Sequence, residues 1–563
     1  MPEHRNHGLQ KQLEILAYII AAGSFAVLFL GSILQELMNY QLLEYITVGA
    51  NIILLFFTIL TRLLSGDLSR QKGLLHFDLV MLLLGALLML YQAKFVIFLL
   101  LIRQTYFFVQ YLLFRAFEGK LYKVLTDNPP VSLMLSFAVV ITIGTVLLML
   151  PESSMSHKVT PFTDALFTAT SATCVTGLAV HDTGSYYSLF GQLVILVLIQ
   201  VGGLGIMTVS TAFALIMGQR LTLKLENVMH SVVGDNQRLD AFQLLKNIVI
   251  VTAIVEAVGA LLLFIQFARD MAPAQAMYYS IFHSVSSFCN AGFSLFQDSL
   301  VSYVDNPVAN FSITILIFLG GLGFAVMIDL YRWVFRLDRV RKLSLHSKIV
   351  LIGSVVLVIT GMVSLFVAEY NNTMAGFSIS RRLLASYFQS ISARTAGFNT
   401  IDMSAISPAS VLMFLALMFI GAAPGSTAGG VKITTFSVLI LSLTSMLRGR
   451  RELSIFNRRL SISNIREATS LVTLSGIIIF IVIFLLYLVE TLPFEQLMFE
   501  AISAFGTVGL SMGITSQLSE AGKLLITLLM YIGRIGPLTL IYALSMRKRQ
   551  PNLAYAEEKI AIG

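Results

Sequence analysis

Charged side chains are scarce in this chain: Asp, Glu, Lys and Arg make up only 12% of its 563 residues, about half the share usual in soluble domains. Hydrophobic residues account for 56%, and the mean hydropathy is +0.83. A helix needs about 20 apolar residues to cross the hydrocarbon core of a bilayer, and runs of that length recur along the sequence. The composition excludes a soluble globular protein and predicts a helical protein that crosses the membrane many times.

Cysteine is nearly absent too. Cys174 and Cys289 are the only two, which excludes a disulfide framework and the paired spacings of zinc or thioredoxin-like sites. Each lies three residues before a glycine, and we interpret both as small buried hydrophobic residues, with no role assigned. The eight histidines form no HExxH pair, and the sequence has no GxSxG motif, so we predict that the chain is not an enzyme.

Apolar runs that could span a bilayer occur at 13–34, 42–64, 78–92, 95–114, 131–150, 191–217, 247–267, 311–335, 349–369, 411–447, 467–489 and 522–546. The net charge of +8 lies mainly in loops between these runs, a pattern that reports membrane orientation and not a nucleic-acid partner. It predicts that both termini are cytoplasmic, with Arg381 and Arg382 as an exception on the outer side. Residues 1–125 hold about four helices to which we assign no role, and 547–563 form a cytoplasmic tail.

Four related segments recur in the rest of the chain: FTATSATCVTGL at 167–178, FHSVSSFCNAGF at 282–293, FQSISARTAGF at 388–398 and FEAISAFGTVGL at 499–510. Their glycines, Gly177, Gly292, Gly397 and Gly509, are 115, 105 and 112 residues apart. Each segment lies between two apolar helices. The sequence therefore predicts an all-α membrane protein with four fused helix, pore-loop, helix repeats around a pseudo-fourfold pore, at 126–220, 221–343, 344–452 and 453–546.

The residues before each glycine form stretches too short to span, and we predict short helices at 161–173, 276–287, 382–392 and 494–505. Glycine permits backbone conformations closed to other residues, so four such segments can turn their carbonyls toward one axis, where they replace the water around a potassium ion. The alternative is that the small residues only allow close helix packing. The candidate filter residues are Val175, Thr176, Gly177, Asn290, Ala291, Gly292, Thr395, Ala396, Gly397, Thr507, Val508 and Gly509.

The last helix of the third repeat is interrupted by GAAPGSTAGG at 421–430. Proline and several glycines make a continuous helix there unfavourable, which predicts a loop on the cytoplasmic side of the filter that could plug the pathway. A simple kink is the alternative. The candidate gate residues are Gly421, Pro424, Gly425, Ser426, Thr427, Gly429, Gly430 and Arg534.

Three charged residues lie within apolar surroundings, where a charge is expensive and usually functional. We expect Arg534 to contact carbonyls of the 421–430 loop and to repel cations when the path is closed; a buried pair with Glu256 is the alternative. Glu256 is interpreted as a structural hydrogen-bonding group in preference to an ion ligand, and Arg394 as a brace behind the third filter segment. Lys94 and Arg103 alone, between 78 and 114, do not make a voltage sensor.

Several pieces of the sequence resemble the Trk, Ktr and HKT superfamily of potassium transporters, most closely the KtrB-type and TrkH-type membrane subunits. The matching pieces are SATCVTGL (171–178), SVSSFCNAGFS (284–294), SISARTAGFNT (390–400), AISAFGTVGLS (501–511), GAAPGSTAGGVK (421–432), YIGRIGPLTL (531–540) and YAEEKIAIG (555–563). The resemblance covers about 130–563; the typical KtrB-type subunit lacks the four N-terminal helices, although some TrkH-like members are longer at this end.

The resemblance implies potassium uptake across the inner membrane along a single-file path, with the gate in the 421–430 segment. It also implies a homodimer in the lipid bilayer, regulated by a separate cytoplasmic ring that binds nucleotide. Potassium is the expected ion, sodium a second candidate, and no organic cofactor is expected in this chain. The alternative is a secondary transporter that couples potassium to sodium or protons, with Glu256 as the coupling residue.

Overall fold

The computed structural model of the chain describes residues 129–204, 241–335, 343–449, 454–456, 458–537 and 539. The predicted helices before residue 125 and the predicted tail at 547–563 lie outside these residues. The described part is almost entirely helical. Its one departure from the predicted all-α fold is a small antiparallel hairpin in a basic connection, made of β1 (Ser454–Ile455) and β2 (Arg458–Arg459).

The first repeat contains α1 (Pro129–Met149), the short helix α2 (Phe162–Thr173), the single turn α3 (Thr183–Tyr186) and α4 (Leu189–Gly203). The start of α4 is capped by Ser188, whose hydroxyl accepts a hydrogen bond from the Gly191 N–H at 3.3 Å. Such a cap satisfies one of the free N–H groups of a helix end.

The second repeat contains α5 (Ala241–Phe267), the short helix α6 (Pro273–Phe288), α7 (Pro307–Leu322) and α8 (Phe324–Val334). The last two meet at Gly323, which has φ +81°, and their axes are bent by 103°. The prediction of one continuous span at 311–335 is therefore wrong. Only glycine adopts this backbone conformation without strain, which is why the helix breaks at that residue.

The third and fourth repeats have the same order of elements. They contain α9 (Leu345–Ala368), the short helix α10 (Ile379–Ser392), α11 (Pro408–Phe419), α12 (Ile433–Leu447), α13 (Ile462–Val489), the short helix α14 (Phe494–Gly506) and α15 (Glu520–Ile535). Short 3-10 turns occur at Pro151–Ser153, Val301–Tyr303, Met403–Ala405 and Thr515–Gln517. The predicted run at 411–447 is thus two helices separated by a loop.

Within the described residues, three helices are long and apolar enough to cross a membrane, namely those ending at Phe267, Ala368 and Val489, and the bent pair α7–α8 is a fourth candidate. Large apolar side chains on these helices are exposed; Leu261 is 61% exposed and Phe480 72%. Such exposure would be costly in water and suits a surface that faces lipid. The described part of the chain is a multi-pass membrane protein.

The core surrounds the four short helices. Each predicted short helix is present within a few residues of its predicted bounds. The first residue of each repeated motif is a phenylalanine that lies on the short helix and is completely buried. These residues are Phe167, Phe282, Phe388 and Phe499. Helices inside a bilayer associate largely through close packing, so these rings anchor each short helix among its neighbours.

Glu369 closes the end of α9 outside the spans. Its carboxylate accepts hydrogen bonds from the Ser407 N–H at 2.8 Å, from the Thr373 hydroxyl at 2.7 Å and from the Ser410 hydroxyl. Burial raises the pKa of this carboxyl, but the hydrogen bonds from Ser410, Ser407 and Thr373 outweigh burial and lower the pKa to about 2. The charged carboxylate thereby joins α9 to the start of α11.

Candidate functional site

The four repeated glycines lie side by side in a closed ring. A Cβ atom added to Gly177 would lie 3.1 Å from the Gly292 Cα, one added to Gly292 would lie 3.0 Å from the Gly397 Cα, and one added to Gly397 would lie 3.2 Å from the Gly509 Cα. The ring closes because a Cβ on Gly509 would lie 3.0 Å from the Gly177 Cα. Segments separated by more than a hundred residues therefore meet at one place, in the order of the chain.

The backbone of these four glycine segments (175–177, 290–292, 395–397 and 507–509) alternates in handedness. The glycines have φ between +71° and +94°, and the residue two positions before each glycine also has positive φ, between +48° and +70°. These other residues are Val175, Asn290, Thr395 and Thr507. A positive φ is strained for the β-branched Val175, Thr395 and Thr507, and this strain is typical of functional sites. The four segments therefore share one backbone conformation.

A serine in the last turn of each short helix holds the glycine segment that follows. The four are Ser171, Ser286, Ser392 and Ser503. In the first and fourth repeats the serine hydroxyl accepts from the N–H of Gly177 and of Gly509, at 3.1 Å in each case. In the other two repeats it donates to the carbonyl of Phe293, at 2.8 Å, and of Phe398. These serines were not predicted from the sequence, although each lies five or six residues before its glycine.

All four glycines line one cavity of about 500 Å³, together with the residues that follow them in each repeat. We call it the glycine cavity. Asp182 and Asp402 lie on its wall, where each carboxylate also caps a helical turn by accepting a backbone N–H, at 2.7 and 2.9 Å. Two acidic side chains give the cavity a negative lining that favours cations.

The loop 421–430 lies against the residues that precede the glycines. Its Gly421 N–H donates to the Val431 carbonyl at 2.8 Å, and the Ala423 N–H donates to the Gly321 carbonyl of the second repeat at 3.1 Å. The Thr427 hydroxyl donates to the Phe288 carbonyl, at the end of α6, at 3.3 Å. The segment is therefore a folded loop bonded to another repeat, and more than a kink in one helix.

The same loop touches the fourth glycine segment. A Cβ atom added to Gly429 would lie 2.9 Å from the Thr507 Cγ2, and one added to Gly430 would lie 3.3 Å from the Gly506 Cα. Gly430 has φ +65°, a conformation that favours glycine. Glycine at these positions lets the loop lie directly beside the ring.

Arg534 joins the loop to two other repeats. The residue is 4% exposed, and its guanidinium donates to the carbonyl oxygens of Thr427 and Gly202. The expected contact with the loop is present. The alternative pairing with Glu256 is not what the structure has, because the Glu256 carboxylate accepts from the Gln200 amide at 3.2 Å.

Lys432 is a second cation at the loop, and it was not predicted from the sequence. Its ammonium donates to the Ala428 carbonyl at 2.6 Å and lies 3.4 Å from the Gly429 carbonyl. The residue is part of the GAAPGSTAGGVK motif, so its proximity in sequence to the loop was the available signal. Lys432 therefore stabilises the end of the loop through the backbone carbonyls of the loop itself.

Glu256, Arg394 and the two cysteines lie around the ring. The Cys289 thiol is 3.8 Å from the Glu256 carboxylate, which supports the structural interpretation of that acid. Arg394 is 6% exposed and donates to the Ser354 hydroxyl of α9 at 3.2 Å, as expected for a brace behind the third segment. Cys174 and Cys289 are both buried free thiols.

Comparison with known proteins identifies the family. The family described as TrkH, cation transport protein, matches residues 93–555. The Ktr system potassium uptake protein B of Bacillus subtilis (strain 168) is 41% identical over 448 residues, which cover 79% of this chain and 99% of that protein. The protein of the same name from Vibrio alginolyticus is 39% identical over 453 residues, covering 79% of this chain and 97% of that protein.

Two further similarities agree with these. The potassium/sodium uptake protein NtpJ of Enterococcus hirae is 36% identical over 442 residues, covering 77% of this chain and 97% of that protein. The crystal structure of the potassium transporter TrkH from Vibrio parahaemolyticus has the same fold, with a TM-score of 0.57 at 18% identity over 73% of this chain and 83% of that chain. The family matches most of the chain, and the relatives align along nearly their whole length. The chain therefore belongs to the TrkH family of cation transport proteins, which are transporters and not enzymes.

Proposed function

We propose that this chain takes up potassium and that the four glycine segments are its selectivity filter. The observation that carries the proposal is the closed ring of glycines, each with positive φ and each within contact of the next. Support also comes from two relatives, 41% and 39% identical, that are named potassium uptake proteins.

The ring suits a dehydrated alkali cation. Carbonyl oxygens arranged around an axis replace the water that potassium must lose to be distinguished from sodium. The short helices end at the ring, so the negative ends of their dipoles add to the attraction. The inside-negative potential, worth roughly 2.3 kcal/mol per charge per 100 mV, is then sufficient to drive uptake.

The loop 421–430 and Arg534 form the proposed gate. The loop bonds to the second repeat through Gly321 and Phe288 and lies against Thr507 of the fourth. A guanidinium held beside these residues places a positive charge near the entry to the ring. In this closed arrangement the loop obstructs the path and the charge opposes cations.

The wider architecture is proposed on the resemblance and on the distribution of basic residues. It comprises the four repeats at 126–220, 221–343, 344–452 and 453–546, additional N-terminal helices, and both termini in the cytoplasm. The protein functions as a homodimer in the inner membrane, under control of a separate nucleotide-binding ring. Copurification from native membranes, with the mass of the purified particle, tests the dimer and the ring together.

A second candidate is coupling of potassium to sodium, which the name of the potassium/sodium uptake protein NtpJ, 36% identical, brings into consideration. Glu256 would be the coupling residue, but its contacts with Gln200 and Cys289 favour a structural role. Potassium flux into proteoliposomes with and without sodium separates the two candidates. Uncoupled flux that does not require sodium excludes the second.

Rubidium and sodium uptake by the purified chain in proteoliposomes tests the filter. In Gly292→Ala, the new Cβ would lie 2.7 Å from the Ala396 carbonyl oxygen at a residue with φ +71°, so the ratio of rubidium to sodium uptake should fall. Gly376→Ala is the matched control, because Gly376 has φ +84° and an added Cβ there meets no atom within 4 Å. Equal ratios in the two variants would contradict the assignment of the filter.

A further inference from the structure

The second residue of each repeated motif is polar and buried. It follows the buried phenylalanine and precedes the filter glycine by eight or nine residues. The four residues are Thr168, His283, Gln389 and Glu500, none more than 2% exposed. A buried polar side chain is unfavourable unless it forms hydrogen bonds, and four copies at one position indicate a shared purpose.

In the first two repeats this residue bonds to the chain beyond the glycine. Thr168 Oγ1 accepts from the Tyr187 hydroxyl at 3.1 Å. His283 Nδ1 lies 2.8 Å from the Tyr279 carbonyl oxygen, which can only accept, so Nδ1 is the donor and Nε2 accepts from the Ser294 hydroxyl at 3.0 Å. The Thr168–Tyr187 and His283–Ser294 bonds each connect a short helix to the chain that follows its glycine.

The third and fourth repeats follow the same plan. Gln389 Nε2 lies 3.9 Å from the Met403 Sδ. Glu500 Oε1 accepts from the Thr515 hydroxyl, which is in turn 3.0 Å from the Ser511 hydroxyl. In both repeats the partner residues line the glycine cavity.

These bonds connect residues that precede each glycine segment with residues that follow it. In the fourth repeat, Glu500 lies before the segment and Ser511 and Thr515 lie after it, so the contacts close a loop around Gly509. Ser511 is only two residues beyond that glycine. A loop closed at its base holds the carbonyls between the two ends at a fixed spacing.

Glu500 differs from its three counterparts because it is a carboxyl group, one oxygen of which accepts from the Thr515 hydroxyl. Its second oxygen, Oε2, has no hydrogen-bond partner among the described residues, and the side chain is 0% exposed. The hydrogen bonding of the Glu500 side chain is therefore directed at the residues that follow Gly509.

We infer that Glu500 is a positioning residue for selectivity: through Thr515 and Ser511 it fixes the fourth glycine segment, and so contributes to the preference for potassium over sodium. The inference rests on the proposed function. It adds Glu500, which lies nine residues before Gly509, to the determinants of ion choice.

The test compares four single variants of the full chain in proteoliposomes, by the ratio of rubidium to sodium uptake. Glu500→Ala and Thr515→Val both remove the bond, and each should lower the ratio about tenfold, a change typical of one lost buried hydrogen bond. Glu500→Gln keeps an acceptor oxygen for the Thr515 hydroxyl and should retain most of the wild-type ratio. Glu495→Gln, an exposed acid on the same helix, should leave it unchanged.

A purely structural role would lower the yield of folded protein, or the uptake of both ions together, and leave the ratio unchanged. Thr515→Val changes only a hydroxyl to a methyl group, so it decides the question if Glu500→Ala does not fold. The double variant should fall no further than either single variant, because the two residues form one interaction.

An unchanged ratio in Thr515→Val and in folded Glu500→Ala overturns the inference. If Gly292→Ala lowers the ratio while these two do not, the filter stands and only the role of Glu500 fails. If Gly292→Ala also leaves the ratio unchanged, the proposed function itself fails.

Discussion

Replacing Arg534 with alanine should raise potassium flux. The guanidinium donates to Thr427 in the loop and to Gly202 in the first repeat, so it holds the loop to a fixed part of the protein. Alanine removes both bonds and the positive charge. The loop is then attached by its remaining bonds to the second repeat and by Lys432.

The size of the effect follows from the bonds lost. A hydrogen bond with a charged donor contributes about 1.5–3 kcal/mol, and one such bond belongs to the loop itself. Weakening the closed state by this amount shifts the balance toward opening roughly 10- to 150-fold. A path that is open about 1% of the time would then be open roughly 10–60% of the time.

The assay is rubidium uptake by proteoliposomes that contain this chain and no other protein. Arg466→Ala, at an exposed arginine of α13, is the control for loss of a positive charge and should match the wild type. Arg534→Lys keeps the charge but lacks the planar fork that reaches two carbonyls, so it should give an intermediate flux. If Arg534→Ala is folded and its flux equals that of the wild type, the loop is not held by this residue.

Three other predictions concern the loop, the ring and the end of α9 at Glu369. Deleting 422–429 should raise flux and abolish the response to any regulator; flux that stays regulated would contradict the assignment of the gate. Ser503→Ala removes the bond to the Gly509 N–H and should lower the ratio of rubidium to sodium uptake several-fold, about the effect of one lost hydrogen bond. Glu369→Gln should reduce the free energy of unfolding by about 1–3 kcal/mol at pH 7. The folded pKa of Glu369 is about 2 and the ordinary value about 4.3, so the difference in unfolding free energy between wild type and variant should be constant above about pH 5 and shrink as the pH falls toward 2. Thermal unfolding at several pH values measures this difference. A difference that does not depend on pH would be inconsistent with the charged hydrogen bonds.

Much of the local structure could be predicted from the sequence. The short helices predicted at 161–173 and 494–505 are found at Phe162–Thr173 and Phe494–Gly506, because four copies of one pattern reveal which features are shared. The break at 421–430 was predictable because proline and glycine act on the local backbone. The candidate filter glycines lie in one ring, while their role stays a prediction.

Long-range contacts were harder to foresee. Gly323 has other glycines just before it in the sequence, and its neighbour Phe324 bonds to the Gly425 carbonyl of another repeat at 3.3 Å, so nothing local identified the bend. The second partner of Arg534, Gly202, is 332 residues away. Each motif has a polar residue at the position of Glu500, but a polar position on a short helix ordinarily indicates exposure to water.

Because the four glycine segments belong to one polypeptide and differ in sequence, an ion in the proposed filter would meet four unlike walls. In an assembly of four identical subunits, a single substitution would alter every wall at once. Here each substitution alters one quadrant and leaves three as they were. Ion preference in the proposed filter could therefore be adjusted, by evolution or by design, one segment at a time.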